Sequence, residues 1–336
     1  MSEVRSHVNA RLRDYFEEKQ REVQRVCPES AKLAQSVTEL TMRGGKRLRA
    51  AVVYAGFRAA EPRGEMTTIT PVAAAIELLQ SYFLIHDDWM DNDDERRGGP
   101  SVHVALGRHY QDVHLGDSVA ILAGDLASAY AAELMHEASF PATHQKEAHL
   151  AYVQMQKEVF MGQHLDLVHA KDIARMHRLK TGSYTVHGPI TLGALLGGAS
   201  PDQLAALERF AEPLGLAFQL RDDWLGTFGD PAVTGKPVGN DLREGKHNAV
   251  TSEALQSLSG EAKVRFEKVM GLTQVDDAEV HHVIELLDRH GVKARIEGRL
   301  EEYVYNANQA ITQTNIPNDV QPLLVDVLAM MTQRRH

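Results

Sequence analysis

The feature that most constrains this chain is the acidic stretch His86–Arg97, which directly follows an apolar run. Six acidic residues fall within the nine positions from Asp87 to Glu95, and two arginines come next. Residues 72–80, just before it, are apolar at helical spacing, which predicts that the acids end a largely buried helix. A solvated acidic face seldom ends a helix that is apolar all round. The pattern therefore favours a divalent-metal site where a buried helix meets the mouth of a cavity.

The spacing of the acids supports a hard cation. Asp87 and Asp91 are four residues apart, so on a helix their carboxylates share one face, with Asp88 beside it. Like charges this close destabilise a helix unless cations neutralise them, and carboxylate oxygens suit Mg²⁺. An EF-hand is excluded, because the glycine expected at the sixth loop position is Arg96 and the closing acid falls at Val102. A solvated acidic helix end stays the alternative for this cluster taken alone.

Composition narrows the class of protein. The 336 residues are 43% hydrophobic, which is enough for a sizeable core, and their net charge of −10 argues against sequence-independent nucleic-acid binding. The single cysteine, Cys27, cannot form an internal disulfide, which is consistent with a reducing cytoplasm. The first residues form a charged amphipathic stretch rather than a signal peptide. No uninterrupted run reaches the roughly 18 apolar residues of a membrane span.

Helical periodicity runs through nearly the whole chain, without alternating strand patterns or repeats. A glycine hinge at Arg43–Arg49 is expected to open the third helix, and residues 230–248 form a polar loop. The sequence therefore predicts an all-α fold: one domain over residues 1–336, a large bundle of ten or more helices around a central cavity. Helices are predicted at residues 3–26, from the break at Pro28 and Ser30 to about Met42, and at 70–91. Further helices are predicted at about 117–137, 143–170, 172–198, 202–228, 249–257, 260–271, 276–290, 292–312 and 318–333.

A second aspartate pair, Asp222-Asp223, ends another apolar helical run. Alone, such a pair is common and carries little information. Two pairs at the ends of two apolar helices, 135 residues apart between Asp87 and Asp222, are a much stronger signal. Two such helices facing each other across a bundle would hold several metal ions between them.

These motifs resemble those of the trans-polyprenyl (isoprenyl) diphosphate synthases, the family that includes farnesyl and geranylgeranyl diphosphate synthases. DDWMD followed by NDDERRG is similar to the first aspartate-rich motif of that family, and FQLRDDWLGTFGDPAVTGKPVGNDLREGK resembles the second. GGKRLR, GQHLDL and KTGSY also match, so the resemblance covers roughly residues 40–250 in order. One position departs: the second motif ends in aspartate in the family, whereas this chain has Gly226. Asp241 lies downstream.

The resemblance implies an isoprenoid-synthase type of bundle and a Mg²⁺-dependent trans-prenyltransferase. Such an enzyme joins an allylic diphosphate (dimethylallyl or geranyl) head to tail to isopentenyl diphosphate and releases pyrophosphate. It implies a homodimer and three Mg²⁺ ions bound by Asp87, Asp91 and Asp222, with Asp88 and Asp223 as supporting acids. The residues implied for the allylic diphosphate are Arg96, Lys180, Thr181, Gln219, Lys236 and Lys246, with Asp166 lining the site.

Isopentenyl diphosphate needs an anion site without metal. The residues that the resemblance assigns to it are Gly45, Lys46, Arg49, Gln80 and Arg97. Lys46 and Arg49 are three residues apart at a predicted helix start, where side-chain cations and free backbone N–H groups would converge. Gln80 lies two helical turns before Asp87 on the same face. A glycine turn before a basic surface helix is the alternative for this segment taken alone.

The two aromatic residues before the first motif bear on product length. Phe83 lies four residues before Asp87, and Tyr82 lies five before it. One helical turn of about 5.4 Å is comparable to one isoprene unit, so bulky side chains here would stop elongation early. Aromatic residues at these positions resemble the short-chain, farnesyl type. The predicted product is fifteen-carbon farnesyl diphosphate, with geranyl or geranylgeranyl diphosphate as alternatives.

Two other functions are compatible with the aspartate motifs. A class I terpene cyclase shares the bundle and the first motif, but it needs no isopentenyl diphosphate site such as GGKRLR, Gln80 and Arg97. A catalytically silent partner subunit of a prenyl synthase is the other alternative. Silent subunits tend to lose an aspartate motif, and in this chain only Gly226 departs from the motifs.

Overall fold

Helices make up almost all of the computed structural model, which describes residues 2–231, 237–272, 275–312 and 316–332. The prediction of an all-α fold is confirmed. The α-helices are α1 Ser2–Val26, α2 Ala31–Met42, α3 Leu48–Ala60, α4 Met66–Met90, α5 Val102–Tyr110, α6 Val113–Glu137, α7 Ala142–Leu167, α8 Ile173–His177, α9 Gly188–Leu196, α10 Pro201–Phe228, α11 Asn240–Arg243, α12 Ala249–Ser257, α13 Gly260–Val269, α14 Asp277–Arg289, α15 Val292–Thr312 and α16 Gln321–Thr332.

Four short elements separate α-helices within the described residues. A 3₁₀ turn, Pro28–Ser30, joins α1 to α2, as the proline and serine predict. A π-helix, Arg178–His187, separates α8 from α9, where the sequence predicts one continuous helix. Strands β1, Glu95–Arg96, and β2, Gly99–Pro100, pair antiparallel with Glu95 opposite Pro100. No strand was expected here; the positive φ angles at Arg97 and Gly98 form the tight turn that closes the hairpin.

Residue contacts divide the chain into two compact units. Unit 1 comprises Met1–Tyr152 and Pro189–Pro201, and unit 2 comprises Val153–Gly188 and Asp202–His336. The single domain over residues 1–336 stays a prediction.

Helix α4 is the central element of unit 1. It packs against α1, α3 and α6, and its side chains from Val72 to Leu79 are buried on every side. A helix with apolar side chains on every face is expected to be buried on every face. Helix α3 also approaches α9 closely, because a Cβ added at Gly56 would lie 2.0 Å from the carbonyl oxygen of Ile190. The acidic end of α4 thus follows a segment of the helix that is buried on every side.

Within the described residues, two helices, α4 and α6, are long and apolar enough to cross a membrane by length and composition alone. In their most apolar windows, 72% of the α4 residues and 44% of the α6 residues are buried inside the protein. Polar residues interrupt both helices, so neither contains an uninterrupted apolar run. Core helices of water-soluble proteins pass the same test, and burial accounts for the apolar character of α4.

Unit 2 has its own apolar core, to which α10 to α15 contribute. Helix α12 begins with a capping box, in which the Asn248 side chain accepts from the Thr251 N–H and the Thr251 side chain accepts from the Asn248 N–H. The core side chains include Leu220, Leu242, Val250, Phe266, Val280, Leu287, Val292 and Ile296. The second aspartate pair lies on α10, beside this core.

Candidate active site

The first acidic cluster ends α4, as the sequence predicts. The Asp91 N–H donates to the Asp87 carbonyl oxygen at 2.8 Å, so these two residues are one helical turn apart. Asp91 is exposed and Asp87 is partly exposed, whereas Asp88 is completely buried. Burial raises the pKa of Asp88 to about 6, against the opposing effect of the Arg96 guanidinium. The cluster therefore offers two carboxylates to solvent and turns the third into the protein.

Arg96 lies in β1 and is the partner of the buried acid. Its Nε donates to Asp88 Oδ1 at 2.7 Å, and its Nη2 donates to Asp93 Oδ2 at 3.1 Å. A buried carboxylate is costly unless it is paired and hydrogen-bonded. Arg96 is that partner for Asp88 Oδ1, whereas Asp88 Oδ2 is buried and has no hydrogen-bond partner among the described residues. The implied role of Arg96 in binding the allylic diphosphate is therefore accompanied by a structural one.

The basic segment, residues 43–47, directly precedes α3. Two arginines attach the hairpin to this segment and to the end of α2. Arg43 Nη1 donates to the carbonyl oxygens of Arg96 at 3.0 Å and Pro100 at 2.7 Å. Arg97 Nη1 donates to the Leu40 carbonyl oxygen at 3.2 Å. Burial and the like charges of neighbouring arginines lower the pKa of Arg97, although Glu77 acts in the opposite direction. The hairpin thus places Arg97 near Arg47 and Arg49. Several cations close together are what an anion-binding site needs.

The basic segment itself differs from its prediction in one respect. Helix α3 begins at Leu48, so Lys46 lies in the loop before the helix rather than on its first turn. The backbone turns sharply there, with positive φ angles at Gly44, Gly45 and Arg47. The expected i, i+3 pairing of Lys46 with Arg49 on one helical face is therefore wrong. Lys46 is exposed, while Arg49 is buried.

The second acidic cluster, on α10 in unit 2, repeats the arrangement of the first. Asp222 is exposed and Asp223 is buried. Asp223 Oδ1 accepts from Gln219 Nε2 at 2.8 Å, and its Oδ2 accepts from the Ala249 N–H at 2.9 Å. Burial raises the pKa of Asp223 to about 7 against these hydrogen bonds. Asp223 therefore fixes the start of α12, and Gln219, implied for the allylic site, holds Asp223.

A histidine that the sequence did not single out lies beside this pair. His177 Nε2 is 3.7 Å from Asp223 Oδ2, and the histidine is 9% exposed. Burial lowers the pKa of His177 to about 4, so its ring is neutral near pH 7. No ligand spacing in the sequence marked this residue, because its partner is 46 positions away.

Gly226, the departure from the second motif, faces another aspartate. A Cβ at this glycine would lie 2.1 Å from Asp241 Oδ2 and 2.3 Å from Asp241 Cγ. Asn248 Nδ2 donates to the same Asp241 oxygen at 2.8 Å. The carboxylate of Asp241 therefore occupies the space that a side chain at position 226 would need, and an acid is present beside the motif after all.

Two of the three lysines implied for the allylic diphosphate lie within the described residues, and each forms an ion pair with a carboxylate. Lys180, in the π-helix, donates to Asp166 Oδ2 at 2.6 Å. Thr181, next to it, is partly buried. Lys246 is 2.8 Å from Glu244 Oε2. Lys236 lies outside the described residues.

Gly162 explains how the π-helix is positioned. A Cβ at Gly162 would lie 2.2 Å from the backbone nitrogen of Lys180 and 2.5 Å from its Cα. Only glycine permits this approach, so the glycine of GQHLDL sets α7 directly against the π-helix. π-helical turns occur often at functional sites.

The aromatic pair before the first motif is close-packed. The rings of Tyr82 and Phe83 are 5.0 Å apart between centroids, and Phe83 is 8% exposed. Tyr82 also packs edge-on against His86 at 4.8 Å. Burial, followed by the effect of Tyr82, raises the pKa of Tyr152 on α7. Tyr82 and Phe83 therefore form a dense aromatic layer one turn below Asp87.

The donor set suits Mg²⁺ rather than a metal enclosed by protein. Among the residues that the structure describes, no group of three or more His, Cys, Asp or Glu side chains is arranged to hold a metal ion. Mg²⁺ usually keeps several waters and binds through one or two carboxylates plus substrate phosphates. Accessible carboxylates beside basic residues have that chemistry.

A helical protein with two aspartate pairs at helix ends and a separate basic segment has the features of a trans-prenyltransferase. The chain belongs to the polyprenyl synthetase family, whose model matches residues 30–287. This confirms the family and enzyme class that the motifs predict.

Known proteins agree with this assignment. The chain is 36% identical over 265 residues to a short chain isoprenyl diphosphate synthase of Methanocaldococcus jannaschii, covering 76% of each chain. It is 35% identical over 280 residues to a farnesyl diphosphate synthase of Geobacillus stearothermophilus, covering 76% of this chain and 88% of the relative. Its fold matches a crystal structure of geranylgeranyl pyrophosphate synthase from Corynebacterium glutamicum complexed with isoprenyl diphosphate and magnesium, with a TM-score of 0.90, 32% identity and 98% of each chain covered.

Restoring aspartate at position 226 is expected to damage the site. In Gly226→Asp, the new side chain must displace the Asp241 carboxylate, and overpacking of this kind costs about 1–3 kcal/mol. We expect a lower thermal midpoint and about tenfold slower prenyl transfer, measured by calorimetry and by product formation. The double variant Gly226→Asp with Asp241→Gly should recover part of both losses. Faster turnover in the single variant would show instead that Gly226 weakens the motif.

Proposed function

We propose that this enzyme condenses an allylic diphosphate, dimethylallyl or geranyl, head to tail with isopentenyl diphosphate. The allylic C–O bond breaks, a C–C bond forms to isopentenyl diphosphate, and pyrophosphate and a proton leave. The observation that carries the proposal is the shared arrangement of the two aspartate pairs. In each, the first aspartate is accessible to solvent and the second is buried against protein donors.

The accessible aspartates are the proposed metal ligands. Asp87 and Asp91 of the first cluster and Asp222 of the second would hold Mg²⁺, three ions in all, with Asp88 and Asp223 supporting them. The magnesium in the C. glutamicum structure supports the use of Mg²⁺. When bound, the metal supplies electrostatic stabilisation of the diphosphate as it leaves. The buried acids keep the helix ends fixed while the accessible ones bind.

The two substrates are proposed to use separate sets of cations. The ion pairs of Arg96, Lys180 and Lys246 hold these side chains in place before substrate arrives, which reduces the entropy lost on binding. The allylic diphosphate set is Arg96, Lys180, Thr181, Gln219, Lys236 and Lys246. The isopentenyl diphosphate set is Gly45, Lys46, Arg49, Gln80 and Arg97. Burial, and then the charges of neighbouring arginines, lower the pKa of Arg97.

The reaction is tested by one incubation with labelled isopentenyl diphosphate. Ten- and fifteen-carbon allylic diphosphates are supplied separately, with and without Mg²⁺. We expect linear prenyl diphosphates only when Mg²⁺ is present, and no turnover from Asp87→Ala, because removing one metal carboxylate removes stabilisation of the leaving group. Circular dichroism checks that this variant keeps its fold.

Other products would assign the chain differently. A hydrocarbon formed without consumption of isopentenyl diphosphate would identify a class I terpene cyclase. A wild-type protein that binds a prenyl synthase but turns nothing over would be a silent subunit.

The proposed product is farnesyl diphosphate, and the aromatic layer of Tyr82 and Phe83 supports it. Phe83 shares a helical face with Asp87, one turn below the proposed metal site. A growing chain would meet this layer early, because one helical turn of about 5.4 Å is comparable to one isoprene unit. Geranyl and geranylgeranyl diphosphate are the neighbouring products if the layer lies higher or lower.

Removing both rings is expected to lengthen the product. Tyr82→Ala with Phe83→Ala should shift the main product from fifteen to twenty or more carbons, detected by chromatography after dephosphorylation. Phe57→Ala, a buried aromatic on α3, serves as a matched core control and should leave the product length unchanged. An unchanged product from the double variant would place the chain-length stop elsewhere.

We also propose a homodimer, supported by exposed apolar side chains on α6 and α7. Leu115, Leu122 and Leu150 are 42%, 55% and 59% exposed. Leu115 and Leu122 are seven residues apart on α6, so they share one face of that helix. Exposed apolar side chains on one helix face are typical of association surfaces. Sedimentation equilibrium should give a mass near twice that of the chain, and Leu122→Glu should shift it towards the monomer. A monomeric wild-type protein at micromolar concentration would contradict the proposal.

A further inference from the structure

A buried ion pair lies beneath the basic segment that precedes α3. Arg47 Nη1 and Glu77 Oε2 are 3.4 Å apart, and both side chains are 2% exposed. Arg47 has a φ of 54°, a left-handed conformation that is unfavourable for a residue with a Cβ. Two more bonds stabilise this conformation, from Arg47 Nε to Asn9 Oδ1 at 2.8 Å and from Nη2 to the Thr41 carbonyl oxygen at 2.9 Å. The neighbouring contacts thus fix an unfavourable backbone turn.

Glu77 holds the start of α3 as well. Its Oε1 accepts from the backbone N–H of Ala50, in the first turn of that helix, at 3.1 Å. The residue at the N-cap position is Arg47, whose side chain makes no capping bond. Capping is usually performed by the neighbouring Ser, Thr, Asp or Asn. Here a carboxylate from another helix, α4, performs it.

We propose that Glu77 is a positioning residue for isopentenyl diphosphate, an inference that rests on the proposed function. Glu77 binds the Arg47 side chain and the backbone N–H of Ala50. The backbone from residue 47 to residue 50 is therefore fixed at both ends. Arg47 therefore points into the protein, while Lys46, its neighbour, is exposed to solvent. The negative charge of Glu77 is directed at Arg47 and Ala50, and the diphosphate meets Lys46 and Arg49.

The position of Glu77 on α4 gives this contact a wider effect. Glu77 is three residues before Gln80 and ten before Asp87 on one continuous helix. The helix that ends in the first aspartate motif therefore also sets the geometry of the basic segment. A displacement of about 1 Å in a substrate-positioning group is enough to cost about 100-fold in rate.

Glu77→Gln tests the inference with little change in shape. The amide keeps an oxygen for the Ala50 N–H but removes the charge that holds Arg47. We expect the Michaelis constant for isopentenyl diphosphate to rise about tenfold, while that for geranyl diphosphate and kcat change less than about twofold. Asn9→Ala, which removes the Arg47 Nε contact, should act in the same direction by about threefold.

Glu133→Gln is the matched control in the same unit. Glu133 accepts from the buried Lys19 at 2.5 Å and from Tyr15 at 2.7 Å, so it joins α1 to α6 as Glu77 joins α3 to α4. We expect its thermal midpoint to fall while both Michaelis constants stay unchanged. If Glu77→Gln and Asn9→Ala lower only the thermal midpoint, or raise both Michaelis constants alike, Glu77 is purely structural and the inference is overturned.

Wild-type protein measured in parallel separates this failure from a failure of the proposed function. A wild-type enzyme that does not consume isopentenyl diphosphate overturns the proposed function, and the inference with it. A wild-type enzyme that does consume it, together with a Glu77→Gln variant whose Michaelis constants match those of wild type, overturns the inference alone.

Discussion

Adjacent carboxylates at a helix end repel each other, and the structure meets this repulsion in the same way at two places. Asp88 and Asp223 are each turned into the protein and hydrogen-bonded there, one by Arg96 and the other by Gln219 and the Ala249 N–H. A buried acid without such partners would cost several kcal/mol. Arg96 binds one oxygen of Asp88, and both oxygens of Asp223 are bound, while the other acid of each pair lies towards solvent at a helix end.

The buried acids also organise the chain around them. Asp88 holds β1 through Arg96, and Arg43 joins the same hairpin to the basic segment before α3. Asp223 holds the first residue of α12, whose N-cap, Asn248, binds Asp241. In each unit, one buried carboxylate therefore links the aspartate motif to a neighbouring group of polar residues.

Local sequence was enough to predict the features that depend on local periodicity. The helix at residues 249–257 and that at 292–312 were predicted to the residue, because caps and apolar spacing mark them clearly. The two aspartate pairs are evident from the sequence, because the same adjacent pair ends two apolar helical runs. The π-helix, the β1–β2 hairpin and the left-handed Arg47 were not predicted, since each depends on distant contacts such as Glu77 to Ala50 or Gly162 to Lys180. The reason for glycine at position 226 could not be predicted from local sequence either. The space beside it is filled by Asp241, which is fifteen positions away in the chain.

The approach of α7 to the π-helix has a consequence for engineering. A mutant library designed to change an interior cavity varies the residues around it. Glycines are often among them, because a larger side chain changes the shape of the cavity wall. At position 162 any larger residue meets the backbone of Lys180 rather than a side chain that can rotate away. Substitution there would displace Lys180, one of the residues proposed to bind the allylic diphosphate. Position 162 is best held constant while the aromatic layer on α4 is varied.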